Sequence, residues 1–302
     1  MRKEFYSNGK LLITGEYAVL DGAKAFAIPT KYGQSLIVTS NTSNKIDWTS
    51  LDEKGNIWFK ATYELDNLVE ISSNNSDISE TLREILVEVQ ALNPHFLKNS
   101  SGYNVVTKLT FPREWGLGTS STLINNIAQW ANINPFALLK TTLGGSGYDI
   151  GCAQHNKPII FENKNGLPTS QEVKYSPTLT KTLYFVYLNK KQNSRDAIKK
   201  YNSEKINRKK LAATISQITQ EMVTSTSINN FELLMTKHET EISNALRTPT
   251  IKSKLFADYP RAIKSLGAWG GDFIMVTGDE SLMDYFRQKG YNTIIPYTEM
   301  IL

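Results

Sequence analysis

Apolar positions along this chain change period several times, and each change marks an expected element. Residues 11–14 and 17–20 are short apolar runs bounded by Gly9, Gly15 and Gly22, a pattern that predicts strands joined by tight turns. Residues 35–40, 46–49 and 57–60 predict further short strands, separated by the turn clusters Asn41-Thr-Ser-Asn44 and Asp52-Glu-Lys-Gly-Asn56. From Asp77 the period becomes helical: Ile78, Leu82, Ile85, Leu86, Val89 and Leu92 fall on one stripe, Asp77 and Glu80 are spaced as a capping box, and Pro94 lies beyond the end. Residues 103–111 alternate as a strand, 123–130 return to helical spacing, and Asn134-Pro135 opens another helix over 136–143, because Asn caps and Pro fits the first helical position. Residues 158–161, 183–188 and 274–277 read as strands, and 194–246 as long, charged helix. Between them 163–181 is polar and turn-rich, which places an expected domain boundary there and divides the chain into 1–180 and 181–302. The class expected is α+β.

Composition narrows the picture little. With 40% apolar and 21% charged residues among 302, the chain is a globular protein large enough for one or two domains with a proper core. Thirty-four Lys and Arg against twenty-nine Asp and Glu leave +5, a modest surplus that suits an anionic small substrate as well as a nucleic acid. The basic runs Lys199-Lys200 and Arg208-Lys-Lys210 have no interleaved aromatic platform and read as solvated helix faces, so no nucleic-acid partner is expected. No apolar run reaches membrane-spanning length and no signal peptide is evident; with Cys152 as the one cysteine, a reducing, cytoplasmic location is expected. The three histidines have no ligand spacing, and core or solvated roles are expected for them.

Chemistry enters with Phe111-Pro-Arg-Glu-Trp-Gly-Leu-Gly-Thr-Ser-Ser-Thr122, a glycine-punctuated, hydroxyl-rich loop running into a helix. Gly116 and Gly118 allow close approach of the backbone to an anion, Thr119, Ser120 and Ser121 offer a helix N-cap, and free amides with the helix dipole favour negative charge. Taken alone, the pattern better fits an ordinary Gly-Ser loop capping a helix, since lone glycine loops are common. Two further glycine clusters stand at Gly144-Gly-Ser-Gly-Tyr-Asp-Ile-Gly151 and Leu266-Gly-Ala-Trp-Gly-Gly-Asp-Phe273.

These clusters, with Gly9-Lys10-Leu-Leu-Ile-Thr-Gly15-Glu16-Tyr17 before them, together resemble the GHMP kinase superfamily, named for its galactokinase, homoserine, mevalonate and phosphomevalonate kinase members. Gly116-Leu117-Gly118-Thr119-Ser120 matches the family's ATP-phosphate loop, Ser146-Gly147-Tyr-Asp149 its catalytic-aspartate segment, and Gly267-Ala-Trp-Gly270-Gly271 its third motif. The resemblance covers nearly the whole chain and is strongest to the phosphomevalonate and mevalonate kinase members, while Gly147-Tyr-Asp-Ile150 resembles a bacterial subgroup whose substrate the motif does not determine. It implies a two-domain α+β fold, with an N-terminal domain like the second domain of a small-subunit ribosomal protein and a ferredoxin-like C-terminal domain. It also implies an ATP- and Mg²⁺-dependent kinase acting on a small acidic acceptor, as a monomer or homodimer. By the same resemblance Asp149 takes or orients the acceptor's proton, Lys10 supports it by opposite charge, residues 116–121 hold phosphate, and Ser120 binds the metal. Glu16, Tyr17, Ser146, Gly147, Gly267, Gly270, Gly271 and Asp272 are then expected to meet the substrate. Trp269 departs from the motif, replacing a glycine, and Arg113-Glu114 stand where the family often has small residues. A catalytically silent ligand sensor and a diphosphomevalonate decarboxylase stay open as alternatives. Arg83, Arg113, Lys199 and Lys264 are candidates to clamp an acidic substrate, with solvated surface as their default.

Overall fold

The computed structural model describes residues 2–98, 101–175 and 177–302. Two compact units divide the chain: Met1–Gly9, Tyr32–Arg113 and Leu117–Gln154 form one, and Lys10–Lys31, Glu114–Gly116 and His155–Leu302 the other.

The first unit takes parts of β1 (Arg2–Thr14) and β2 (Ala25–Ser40), with β3 (Lys45–Leu51), β4 (Ile57–Glu64), β5 (Glu70–Ser73), α1 (Ser76–Leu92), β6 (Tyr103–Leu109), α2 (Thr119–Ala131), α3 (Pro135–Thr141) and α4 (Tyr148–Ala153). Its strands run in the order β5-β4-β3-β6-β2; β3 and β6 are parallel and the other neighbours antiparallel. Alternation decides which side chains go inward: Ile46 and Trp48 on β3 and Phe59, Ala61 and Tyr63 on β4 face the same core as Leu82, Ile85, Leu86 and Val89 of α1 and Ile124, Ile127 and Ala128 of α2. The helical stripe expected from Asp77 is therefore the buried face of α1 from Leu82 to Val89, with Leu92 exposed beyond it, and its cap differs. Asn75, not Asp77, holds the cap position, accepting from the Ile78 amide at 3.1 Å. The Asn134 cap on α3 is as expected, with its side chain accepting from the Phe136 amide at 2.8 Å.

The second unit takes the remainder of β1 and β2 with β7 (Ile159–Lys164), β8 (Leu167–Glu172), α5 (Pro177–Thr180), β9 (Leu183–Tyr187), α6 (Ser194–Ser203), α7 (Arg208–Thr224), α8 (Ile228–Leu246), α9 (Ile251–Leu255), β10 (Ile263–Ser265), β11 (Phe273–Thr277), α10 (Glu280–Gln288), β12 (Ile294–Pro296) and α11 (Tyr297–Met300). An antiparallel sheet runs β10-β11-β9-β12, and every residue of β11 is buried, as its unbroken apolar run requires. Ile274 and Val276 of β11 join Tyr184 and Val186 of β9, Phe256, Tyr259 and Phe286 in one core.

Two expectations fail here for local reasons. Residues 17–20 are not a strand: positive φ at Gly15 (105°) and Tyr17 (59°) turns the chain into a 3₁₀ turn, Ala18–Asp21, which buries Ala18 and Val19. The polar stretch from 163 is not loop throughout. Asn165 and Gly166, both at positive φ, make the two-residue turn of a β7–β8 hairpin, a signal present in the sequence as Asn-Gly. Among the described residues no helix is long and apolar enough to cross a membrane.

Candidate functional site

In the first unit the hydroxyl-rich loop ends at Gly118, which adopts φ 99° and occupies the N-cap of α2 without a side-chain capping bond. Thr119, Ser120 and Ser121 thus lie inside the first turn of the helix rather than capping it. The Ser121 hydroxyl turns back to the Gly118 carbonyl at 2.9 Å, and Thr122 donates to Gln34 Oε1 at 2.7 Å. The first α-helical bond is made by the Thr122 amide to Gly118, so the amides of residues 119–121 have no intrahelical acceptor and carry the positive end of the dipole. Ser120 is exposed, while Leu117 is buried and anchors the loop.

Asp149 stands in the first turn of α4, after Gly147 at the N-cap with φ 89° and the half-buried Ser146. Helices α2 and α4 pack together. A polar network that sequence reasoning missed, buried from Asn125 inward, ties them to the strands: the exposed Gln154 donates to Asn125 at 3.2 Å, Asn125 to Ser7 at 2.8 Å, Ser7 to Asn126 at 2.7 Å, and Asn126 to the Gln34 carbonyl at 2.9 Å. Two adjacent asparagines within an apolar helical segment were the available signal, since buried amides must find partners. Arg113 is also not a free surface cation; its guanidinium lies 3.8 Å from the centre of the Trp58 ring.

In the second unit Lys10 donates to the Gly116 carbonyl at 3.4 Å. Gly116 has no room for a side chain: a Cβ there would sit 2.5 Å from the Asp272 carboxyl carbon, and its φ is 66°. Asp272, itself at φ 52°, accepts from the Gln192 amide at 3.2 Å. Burial pushes its carboxyl up, against the opposing pull of the Gln192 amide and of Lys10 and Lys191. Trp115 meets Phe273 edge-on at 5.4 Å, and the Tyr187 hydroxyl donates to the Glu114 carbonyl at 3.1 Å, fixing residues 114–116 on β9 and β11. Gly267 and Gly270 have positive φ, as does Trp269 (53°), which is buried with its indole N–H unpartnered; Gly271 is packed against Gln192. Lys10, Gly116, residues 267–272 and Gln192 thus come together in this unit, and Gln192 had no sequence signal.

Glu16 and Tyr17 are both buried. The Tyr17 hydroxyl donates to the Ala268 carbonyl at 2.9 Å, and Glu16 Oε1 lies 2.5 Å from Lys264 Nζ, both side chains being fully inaccessible. Lys264 is therefore neither a solvated cation nor a clamp open to substrate. Its partner set also includes Glu239 Oε1 at 3.8 Å and the Ser265 carbonyl at 2.9 Å. His238 Nε2 accepts from the Gly15 amide at 3.1 Å, so the ring proton is on Nδ1 and the equal approach to Glu16 Oε2 is not an ion pair. Burial and Lys264 hold His238 below its ordinary range, while for Glu16 the burial that would raise it is outweighed chiefly by Lys264. The apolar spacing of Phe231, Leu234, Met235 and Ile242 puts His238 on the buried stripe of α8, a signal that only its partners make meaningful.

One ammonium faces two buried carboxylates, and burial leaves Glu239 pushed up to about 8. The folded chain then keeps a proton on Glu239 that the unfolded chain releases near 4.5, so stability is lost as pH rises between those values, at about 1.4 kcal/mol per pH unit. The depressed Glu16 and His238 act below 6.5 and in the opposite direction, leaving pH 6.5–8 as the window belonging to Glu239. Urea midpoints should fall across that window, and Glu239→Gln should flatten the fall; an unchanged slope in the variant refutes the assignment.

No protein-family model and no curated protein matches the sequence. Solved structures do, over nearly all of the chain. Methanococcus jannaschii mevalonate kinase superposes with a TM-score of 0.69 at 15% identity, covering 98% of this chain and 97% of its own. Streptococcus pneumoniae phosphomevalonate kinase, in complex with phosphomevalonate and AMPPNP, gives 0.70 at 15%, covering 95% of each chain. Lactococcus lactis galactokinase complexed with galactose gives 0.69 at 14%, covering 95% and 88%. The α+β fold of this chain is that of the GHMP kinases.

Proposed function

We propose that the chain is an ATP- and Mg²⁺-dependent small-molecule kinase that transfers the γ-phosphoryl group to a small acidic acceptor, with phosphomevalonate and mevalonate as first candidates. The observation that carries this reading is the start of α2: three amides without intrahelical acceptors and an exposed hydroxyl, following a glycine N-cap, in a fold shared with kinases. Such a terminus binds phosphate through backbone donors and the dipole together. Phosphoryl transfer asks for positioning and charge neutralisation more than covalent help, which suits a loop built from amides and hydroxyls.

In this reading the amides of residues 119–121 hold the nucleotide phosphates. An oxygen of the acceptor forms the new bond to the γ-phosphorus as the bond to the bridging oxygen of ADP breaks. The Asp149 carboxylate takes or orients the proton of the attacking group, and Lys10 neutralises charge on the transferred group. Mg²⁺ takes few protein ligands and completes its shell with phosphate and water oxygens, and when bound it offsets phosphate charge. The Ser120 hydroxyl, exposed and with no hydrogen bond of its own in the described structure, fits such a site, and no group of three or more His, Cys, Asp or Glu among the described residues could hold a metal independently of nucleotide. The kinship with kinases named for mevalonate, phosphomevalonate and galactose supports a small acceptor bearing hydroxyl or phosphate groups. Trp269 favours a second reading, a silent ligand-binding protein, because its bulk occupies a loop whose other members are mostly glycine.

A coupled ADP-release assay with Mg-ATP, screening phosphomevalonate, mevalonate, homoserine and sugars, separates the two. Release that depends on one acceptor is expected; ATP binding with no acceptor-dependent release favours the silent protein.

A further inference from the structure

We propose that Lys264 is a positioning residue: acting through Glu16, it locks the turn at residues 15–17 to the start of the 266–272 loop and so holds that loop in its ligand-ready shape. The ligand in question is the nucleotide of the kinase reading, on which this proposal rests. Two contacts of different chemistry join these sequence-distant segments. Lys264 Nζ meets Glu16 Oε1 at 2.5 Å, and the Tyr17 hydroxyl donates to the Ala268 carbonyl at 2.9 Å. Lys264 also donates to the Ser265 carbonyl at 2.9 Å, fixing the backbone where β10 gives way to the loop.

Both joined segments hold backbone conformations that need support. Tyr17 has φ 59° and ψ −47°, and Trp269 and Asp272 have φ 53° and 52°. Aromatic residues rarely occupy this region, and such positions persist where surrounding contacts over-determine them. Gly15 admits no substitute, since a Cβ would lie 2.6 Å from the Ala25 Cβ. The Tyr17 ring is further held by stacking on Tyr201 at 5.3 Å.

Stability alone does not account for the ion pair. A buried pair contributes little net stability against apolar residues of similar volume, whereas its direction and length define one geometry. The remaining neighbours of the ammonium make the site specific: Glu239 stands at 3.8 Å and accepts from Ser265 at 3.0 Å, and the imidazole of His238 closes the far side of Glu16.

The test compares wild-type protein with the double variant Glu16→Gln/Lys264→Met, which removes both charges together, and with Tyr17→Phe, which removes one hydrogen bond and keeps the ring. Urea denaturation reports folding, amide hydrogen exchange over residues 264–273 reports the loop, and tryptophan fluorescence during titration with Mg-AMPPNP reports binding. In the double variant we expect a near wild-type urea midpoint, with faster exchange confined to the loop and AMPPNP binding weakened about 3- to 30-fold. Tyr17→Phe should shift the same two readouts by less. A folded double variant with wild-type loop exchange overturns the positioning role. Wild-type protein that does not bind AMPPNP overturns the kinase reading instead, and the exchange measurement still decides the role of Lys264.

Discussion

Asp149→Asn is expected to lower acceptor-dependent ADP release by about 10²- to 10⁴-fold, the usual worth of a positioned general base. The substitution keeps the shape of the side chain, and Asp149 lies in the first turn of α4 rather than in the core. A negative charge near a helix N-terminus is typically worth about 0.3–1 kcal/mol, and the variant should fold. Nucleotide binding should survive as well, because the proposed phosphate donors are amides of the α2 turn. The informative result is a split: Mg-AMPPNP affinity and circular dichroism unchanged while turnover collapses. Turnover within a few-fold of wild type would remove Asp149 from the reaction.

Lys264→Met alone is expected to cost about 3–5 kcal/mol of unfolding free energy, because it strands the Glu16 carboxylate in a fully buried site without its cation. Glu239 adds less to this cost, since burial already favours its protonated form. Removing both charges with Glu16→Gln should recover most of the loss. Urea titrations of the single and double variants check this directly. A single variant within about 1 kcal/mol of wild type would mean that Glu16 finds another partner or takes up a proton at little cost.

What could be read from residue order follows from what periodicity reports. The stripe from Ile78 to Leu92 and the alternation over 103–111 describe single faces of single elements, and α1 and β6 form from them, with β6 ending two residues early at Leu109. The glycine clusters were legible because positive φ is a property of one residue in its own chain: Gly116, Gly118, Gly147, Gly267 and Gly270 all adopt it. The resemblance in motif order likewise pointed to the fold that the solved structures share. Local readings failed where another local preference won, as when the Asn75 side chain rather than Asp77 capped α1 and when the left-handed conformation of Gly118 took the cap position of α2 from the hydroxyl residues after it.

The buried charge cluster lay outside any such reading. Glu16 and Lys264 are separated by 248 positions, and a lysine carries the same local signal whether water or a carboxylate surrounds its ammonium. The same holds for Asp272 against Gly116 and for Asn125 against Ser7. Sequence by itself determined the α+β class, most elements, the glycine turns and the candidate residues, because propensity, period and turn chemistry act within a few residues. Tertiary structure alone decided which charges were buried, who partnered them and which residues support the candidate site, because desolvation and hydrogen bonding depend on neighbours that the chain brings together only on folding.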